Sequence, residues 1–186
     1  MVASLVVLFL LLAVVGYLIG TYNSLVQVRA AVKLAWSNID VLLVQRHDEL
    51  PKLVEVCKQY MQYEPGTLER VMRARAGVDA ARTSGDVAAL GPAEHELRTG
   101  LTGLYAVAEN YPELKASQNF RDLQAQLEGT ENRITVERMR FNDAAKEFNT
   151  RRSQVPAVLF ANFFGFKEKP YFQAAPGAEN APKVKF

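Results

Sequence analysis

The chain has 186 residues, enough for one domain, and 22 Lys and Arg against 20 Asp and Glu give a net charge of +2. That balance supplies no large basic field, and no Lys/Arg block or aromatic-basic interleaving occurs, so nucleic acid is excluded as a partner. The single Cys57 has no intramolecular disulfide partner and gives no argument for an oxidising compartment.

Residues 1–28 carry no charged side chain, and residues 1–19 read MVASLVVLFLLLAVVGYLI. About 20 apolar residues at ~1.5 Å rise span a hydrocarbon core of ~30 Å. The pattern predicts a transmembrane anchor over 1–20, with Val2, Leu8, Leu12 and Ile19 in the hydrocarbon. A cleaved signal peptide is the alternative. It needs a basic n-region and a small-x-small cleavage site, and this run has no Lys or Arg before it and no Ala-x-Ala at its end. A buried core helix is a third reading. Gly16 and Gly20 form a GxxxG, which lets membrane helices approach closely but is common by chance. The first charges after the run are Arg29 and Lys33. The positive-inside rule then puts the N-terminus outside and the main domain in the cytoplasm.

From Tyr22 to Tyr60 apolar residues recur in alternating steps of three and four. The positions are Tyr22, Leu25, Arg29, Val32, Trp36, Ile39, Leu43, Arg46, Leu50, Leu53, Cys57 and Tyr60. This is a heptad seam containing two arginines. Pro51 inside it predicts a kink near 47–50. Glu64-Pro65-Gly66 signals a turn, with Thr67 as N-cap of a second helix over 68–82. Thr83-Ser84-Gly85-Asp86 and Leu90-Gly91-Pro92 punctuate a loop, and 93–110 is a third helix, ended by Tyr111-Pro112. A fourth runs over about 113–152, with Phe120, Leu127, Ile134, Phe141 and Phe148 spaced by seven, and Pro156 stops it. No stretch alternates with period two. The fold class is all-α.

Three blocks carry a resemblance: YNSLVQVRAAVKLAWSNIDVLL (22–43), LYAVAENYPELKASQNFRDLQAQLEGTENRI (104–134) and FNDAAKEFN (141–149). With the apolar front and the ending FGFKEKPYF (164–172), the chain resembles the LemA family over residues 1–172. The resemblance implies a bacterial protein with one N-terminal membrane helix and an antiparallel helical bundle. It implies no particular activity. Genes of this family often sit near those of TPM-domain membrane proteins, so it implies such a protein as a candidate partner. The chain departs from the family in having Phe141 and Phe148 where Tyr is frequent, and Pro65-Gly66 where charged residues are frequent.

The expected domains are the anchor (1–20), the bundle (21–153), an aromatic interfacial segment (154–172) and a disordered tail (173–186). Two helices of about 40 residues, ~60 Å each, exceed the two short ones by more than twofold. The near half of such a bundle is only two helices thick. A two-helix layer does not enclose Trp36, Ile39, Ile134 and Phe141, and exposed apolar surface of that kind marks an interface. These four are the expected self-association residues; a marginal two-helix coiled coil is the alternative. Phe160, Phe163, Phe164 and Phe166, followed by Lys167 and Lys169, read as membrane-interfacial, or else as a cap on the bundle core. An antiparallel register in which facing position numbers have a nearly constant sum pairs Arg29 with Asp143, Asp40 with Arg133 and Arg46 with Glu128.

The chemistry-bearing residues are sparse. His47 lies beside Asp48 and Glu49, and His95 between Glu94 and Glu96, without HExxH or ExxH spacing. Cys57 falls on the seam as a small core residue. No catalytic, cofactor or metal residues are assigned. The Glu128–Arg133 stretch is the densest polar cluster, and its expected work is to specify helix pairing. The sequence thus reads as a single-pass, non-enzymatic scaffold at the bacterial cytoplasmic (inner) membrane. Its partners are membrane lipid and further copies of itself, a homo-oligomer formed through the membrane-proximal helix pair. The alternatives are a monomeric adaptor recruiting another membrane protein through Trp36 and Phe141, and an enzyme using His47–Asp48–Glu49 or Glu128–Glu131.

Overall fold

A computed structural model describes residues 2–173, and among these there are helices and no strand. The all-α fold with a long apolar N-terminal helix follows the sequence pattern. The elements are α1 (Val2–Lys58), α2 (Pro65–Ser84), α3 (Val87–Ala108), α4 (Pro112–Ala116), α5 (Gln118–Ser153) and α6 (Ala157–Phe160). The tail expected from residue 173 onward lies, apart from Gln173, outside the described residues.

α1 is continuous from the apolar run through Pro51 to Lys58. α2 begins at Pro65 rather than after Thr67. A proline in the first turn has no hydrogen-bonding N–H to lose there. It ends on Gly85, whose φ of 68° is the left-handed conformation that glycine adopts without steric cost.

α3 starts at Val87, six residues before the expected 93. The Asp86 carboxylate accepts from the N–H groups of Ala88 (2.9 Å) and Ala89 (3.3 Å). That cap, worth about 1 kcal/mol, and the burial of Val87 and Leu90 carry the helix across Gly91-Pro92. The expected fourth helix is divided at Ser117, whose extended ψ of 123° separates α4 from α5.

α1 and α5 each contribute to two compact units. The first unit comprises Met1–Ser37 and Met139–Pro170. Its core joins Leu25, Val28, Val32 and Ala35 of α1 to Phe141, Ala145 and Phe148 of α5. The Trp36–Phe141 ring contact (6.0 Å) and the Arg151–Ser24 hydrogen bond (2.6 Å) run antiparallel along the pair. Past α6 the chain turns at Gly165 (φ 72°) and lies back on the helices. There Phe166 packs against Tyr22 (5.5 Å) and Phe148 (6.4 Å). The side-chain amide of Asn149 then donates to the Lys169 carbonyl and accepts from its N–H, both at 2.9 Å.

The second unit holds 38–138 and the described residues 171–173. Here α1, α2, α3 and α5 surround Ile39, Leu43, Leu50, Leu53, Val71, Leu97, Leu104, Leu127 and Ile134, all buried. Cys57 lies in the same core. Burial pushes its thiol up to about 12.

Candidate functional site

The interior of the second unit carries an ion-pair network. Arg46, buried on the α1 seam, binds Glu94 of α3 and Glu131 of α5 (2.5 Å to the latter). Glu94 also meets Arg138 at 2.6 Å, and Glu131 also meets Arg98. Beside them Glu49 accepts from Gln45 (2.8 Å) and Thr130 (3.5 Å), and Arg133 donates to Gln45 (2.9 Å). Burial acts to raise the Glu131 pKa, but Arg46, Arg98 and Arg138 outweigh it, and the carboxyl is held below its ordinary value. Pairing with the opposite sign offsets the cost of burying these side chains.

A second cluster ties α2 to α1. Arg82 binds Asp79 (2.9 Å) and Asp40 (3.1 Å). The bonds to Asp40 and Asp79 hold the Arg82 guanidinium firmly protonated, and the Arg82 bond lowers the Asp79 pKa. Arg75 donates to the His47 carbonyl at 2.9 Å and also contacts its ring. His47 is thus a packing partner of α2, and His95 is exposed on α3. Beside the network, Arg98, Leu101, Thr102, Tyr105, Leu127 and Glu128 line a cleft of about 310 Å³.

The expected charge register is corrected by these contacts. Arg46 meets Glu131, not Glu128, whose carboxylate accepts from Gln124 on its own helix at 2.9 Å. Asp40 pairs with Arg82, while Arg133 reaches Gln45. Arg29 lies over the Phe166 ring at 5.2 Å rather than against Asp143. The antiparallel pairing stands, but in the second unit the helices are displaced by close to one turn from the expected register. The role of Glu94 is hidden in the sequence because Pro92 reads as a breaker that delays α3. With α3 starting at Val87, the spacing Val87, Leu90, Glu94, Leu97 places that carboxylate on the buried face.

The expected interface residues are also relocated. Ile39 and Ile134 are completely buried in the second unit, and Phe141 is buried in the first, with Trp36 half-buried against it. Within each unit the α1–α5 pair is covered by further chain. Arg82 carries α2 back to Asp40, and Phe172 packs under Arg138 at 5.3 Å in the second unit; residues 166–169 cover the pair in the first.

In the first unit, Val2, Leu8, Leu12 and Ile19 are all exposed along α1, which is the one helix among the described residues long and apolar enough to cross a membrane. Where that run ends, Tyr22 meets Phe164 edge-on at 5.3 Å. Leu159 and Phe163 stand 80% and 87% exposed, and Phe164 is half exposed. Phe160 is half-buried against Phe164. Phe166 departs from the interfacial reading: it is buried, because Gly165 turns it inward onto Tyr22 and Phe148. From residue 21 onward this unit carries eight Lys and Arg against Asp143, Glu147 and Glu168, a net +5.

These features define a membrane-associated helical protein: an exposed apolar helix of spanning length fits membrane anchoring, and a compact helical bundle completes it. The LemA family model matches residues 35–186, most of the chain, and the chain belongs to that family. It is also similar to the magnetosome proteins MamQ 1 and MamQ 2 of Paramagnetospirillum magneticum. Each is 25% identical over 190 residues, covering 90% of this chain and 70% of the relative. MamQ of Magnetospirillum gryphiswaldense is 23% identical over 193 residues, covering 91% and 71%.

Proposed function

We propose that this protein is a non-enzymatic, single-pass scaffold of the bacterial inner membrane, with a cytoplasmic bundle, that self-associates along the outer face of α1. The observation that carries this reading is a second stripe on α1. Asn23, Gln27, Ala30, Leu34 and Ser37 follow each other in alternating steps of four and three, all are exposed, and none is charged. Such a stripe is a coiled-coil seam without an intramolecular partner. Copies held in one membrane share one orientation, so the seams meet in parallel and at raised effective concentration.

The groups suited to chemistry favour a structural role. Cys57 stays a thiol near neutral pH, His47 is held by Arg75, and the carboxylates Glu94 and Glu131 are committed to arginines.

The test is the mass of the full-length protein in mild detergent, with Leu34→Cys crosslinking in a Cys57→Ser background. Assembly gives a species above the 20.7 kDa chain and a disulfide-linked dimer. A strict monomer with no crosslink at any concentration removes the scaffold reading and favours a monomeric adaptor for another membrane protein, such as one of TPM-domain type.

A further inference from the structure

We propose that a cleft in the first unit binds the phosphate of an anionic phospholipid from the membrane in which α1 is anchored. This rests on the membrane anchoring proposed above. The cleft, of about 540 Å³, lies between α1 and the chain that leaves α5. One end is formed by Gly16, Tyr17 and Gly20 of the apolar run, the other by Ser24, Arg151 and Gln154. Its walls therefore pass from apolar to cationic at the level where the apolar run of α1 ends. A phospholipid has the same order, from acyl chain to phosphate. The two glycines leave the apolar end open: a Cβ at either would meet nothing within 4 Å.

The polar end is organised for an anion. Arg151 donates to the Ser24 hydroxyl at 2.6 Å and to Glu147 at 2.7 Å. A guanidinium carries five N–H donors, so two engaged contacts leave its fork able to bind phosphate, and a hydroxyl that accepts from it keeps its own hydrogen to donate. Glu147 offsets part of this charge, but the unit around the cleft is basic by eight residues to three. Anionic headgroups gather at such a surface, and the cleft supplies one defined place within it.

The experiment uses the full-length protein in mild detergent, titrated with phosphatidylglycerol or phosphatidylcholine and read by native mass spectrometry as lipid bound per chain. Phosphatidylglycerol should be retained about fivefold more tightly, the scale of one Lys or Arg contact with an anionic headgroup. Arg151→Gln should abolish that preference, whereas Lys146→Gln, which removes a charge from the same unit outside the cleft, should keep it. Gly20→Leu should block retention of either lipid by filling the apolar end. Equal retention of the two lipids by the unaltered protein, or equal losses in Arg151→Gln and Lys146→Gln, would overturn the site and leave only diffuse charge. Displacement by soluble glycerol phosphate would assign the cleft to a free phosphate instead and overturn the lipid. Carbonate extraction of the same variants separates the two readings: retention in the membrane with lost lipid preference is failure of the site, and release is failure of the anchor.

Discussion

The two units handle charge in opposite ways. In the second, residues 38–138 hold twelve Lys and Arg against sixteen Asp and Glu, a net −4, and several of these charges are buried in pairs. The first, beyond residue 20, is basic by eight to three and keeps its charges at the surface while burying aromatic rings. The whole-chain charge of +2 averages these away. A nearly neutral composition excludes a uniformly basic protein; it does not exclude a basic region next to an acidic one. The segregation suits the membrane anchoring proposed above, since the unit that carries the apolar run is the basic one.

The comparison breaks most sharply at an arginine from each unit. Arg46 is 2% exposed, and its loss strands Glu94, also 2% exposed, with one partner fewer. Breaking a buried pair from one side costs about 3–5 kcal/mol, so Arg46→Leu should lower the unfolding free energy by that amount in a urea titration of the detergent-solubilised chain. Adding Glu94→Leu should not recover it, because Arg138 then loses the carboxylate it meets at 2.6 Å. Arg151→Leu, at an exposed pair, should cost less than about 1 kcal/mol. Similar losses for Arg46→Leu and Arg151→Leu would mean that burial does not distinguish the units.

Much of the fold was legible because burial imposes periodicity. The seam from Leu25 to Cys57 and the heptad marks Phe120, Leu127, Ile134, Phe141 and Phe148 are buried almost throughout. The exceptions are Arg29 and Trp36, where the seam runs into the first unit and its partners are aromatic rings. Helix starts were less legible. Pro65 and Pro92 read as breakers, yet one fits the first turn and the other follows a capped start at Asp86. Charge partners were the least legible. A helix register is fixed by apolar volumes in three dimensions, and a displacement of one turn exchanges Glu128 for Glu131 without changing the pattern in sequence. The stretch 166–172 was misassigned in part because lysines among aromatics are equally consistent with a membrane surface and with a strap whose rings turn inward. Gly165 and Asn149 decide between the two, and neither announces it locally.

Acid sharpens the contrast on a smaller scale. The Glu131 carboxyl is held below its ordinary value of 4.5 by the arginines around it, and Asp79 is held below 3.8 by Arg82. A depressed carboxylate pKa stabilises the fold fully above the unfolded value, and that contribution is lost as pH falls through the folded one. The second unit should therefore weaken as pH drops below about 4.5, with little change between 6 and 8 from these groups. Glu131→Gln should flatten this acid slope while lowering stability at neutral pH. An unchanged slope would show that Glu131 is not the group through which acid acts.

The smallest change in stability tests the largest difference in surroundings. Phe163 in the first unit and Tyr63 in the second are nearly equally exposed, at 87% and 89%. Neither ring holds up its unit, so serine at either position should shift stability by no more than about 0.5 kcal/mol. Their settings differ. Phe163 follows Leu159 and packs edge-on with Phe164 at 5.2 Å, which in turn touches Tyr22 just past the apolar run. Tyr63 lies between α1 and α2, beside Glu64. An environment-sensitive fluorophore placed at position 163 of the reconstituted full-length chain, with Cys57 replaced by serine, should be quenched by lipids brominated on their acyl chains. The same probe at position 63 should not be. Aromatic side chains rest at the headgroup boundary only when the backbone delivers them there, so an absence of quenching at 163 would mean that the exposed rings of 159–164 face water and await a protein partner instead of the bilayer.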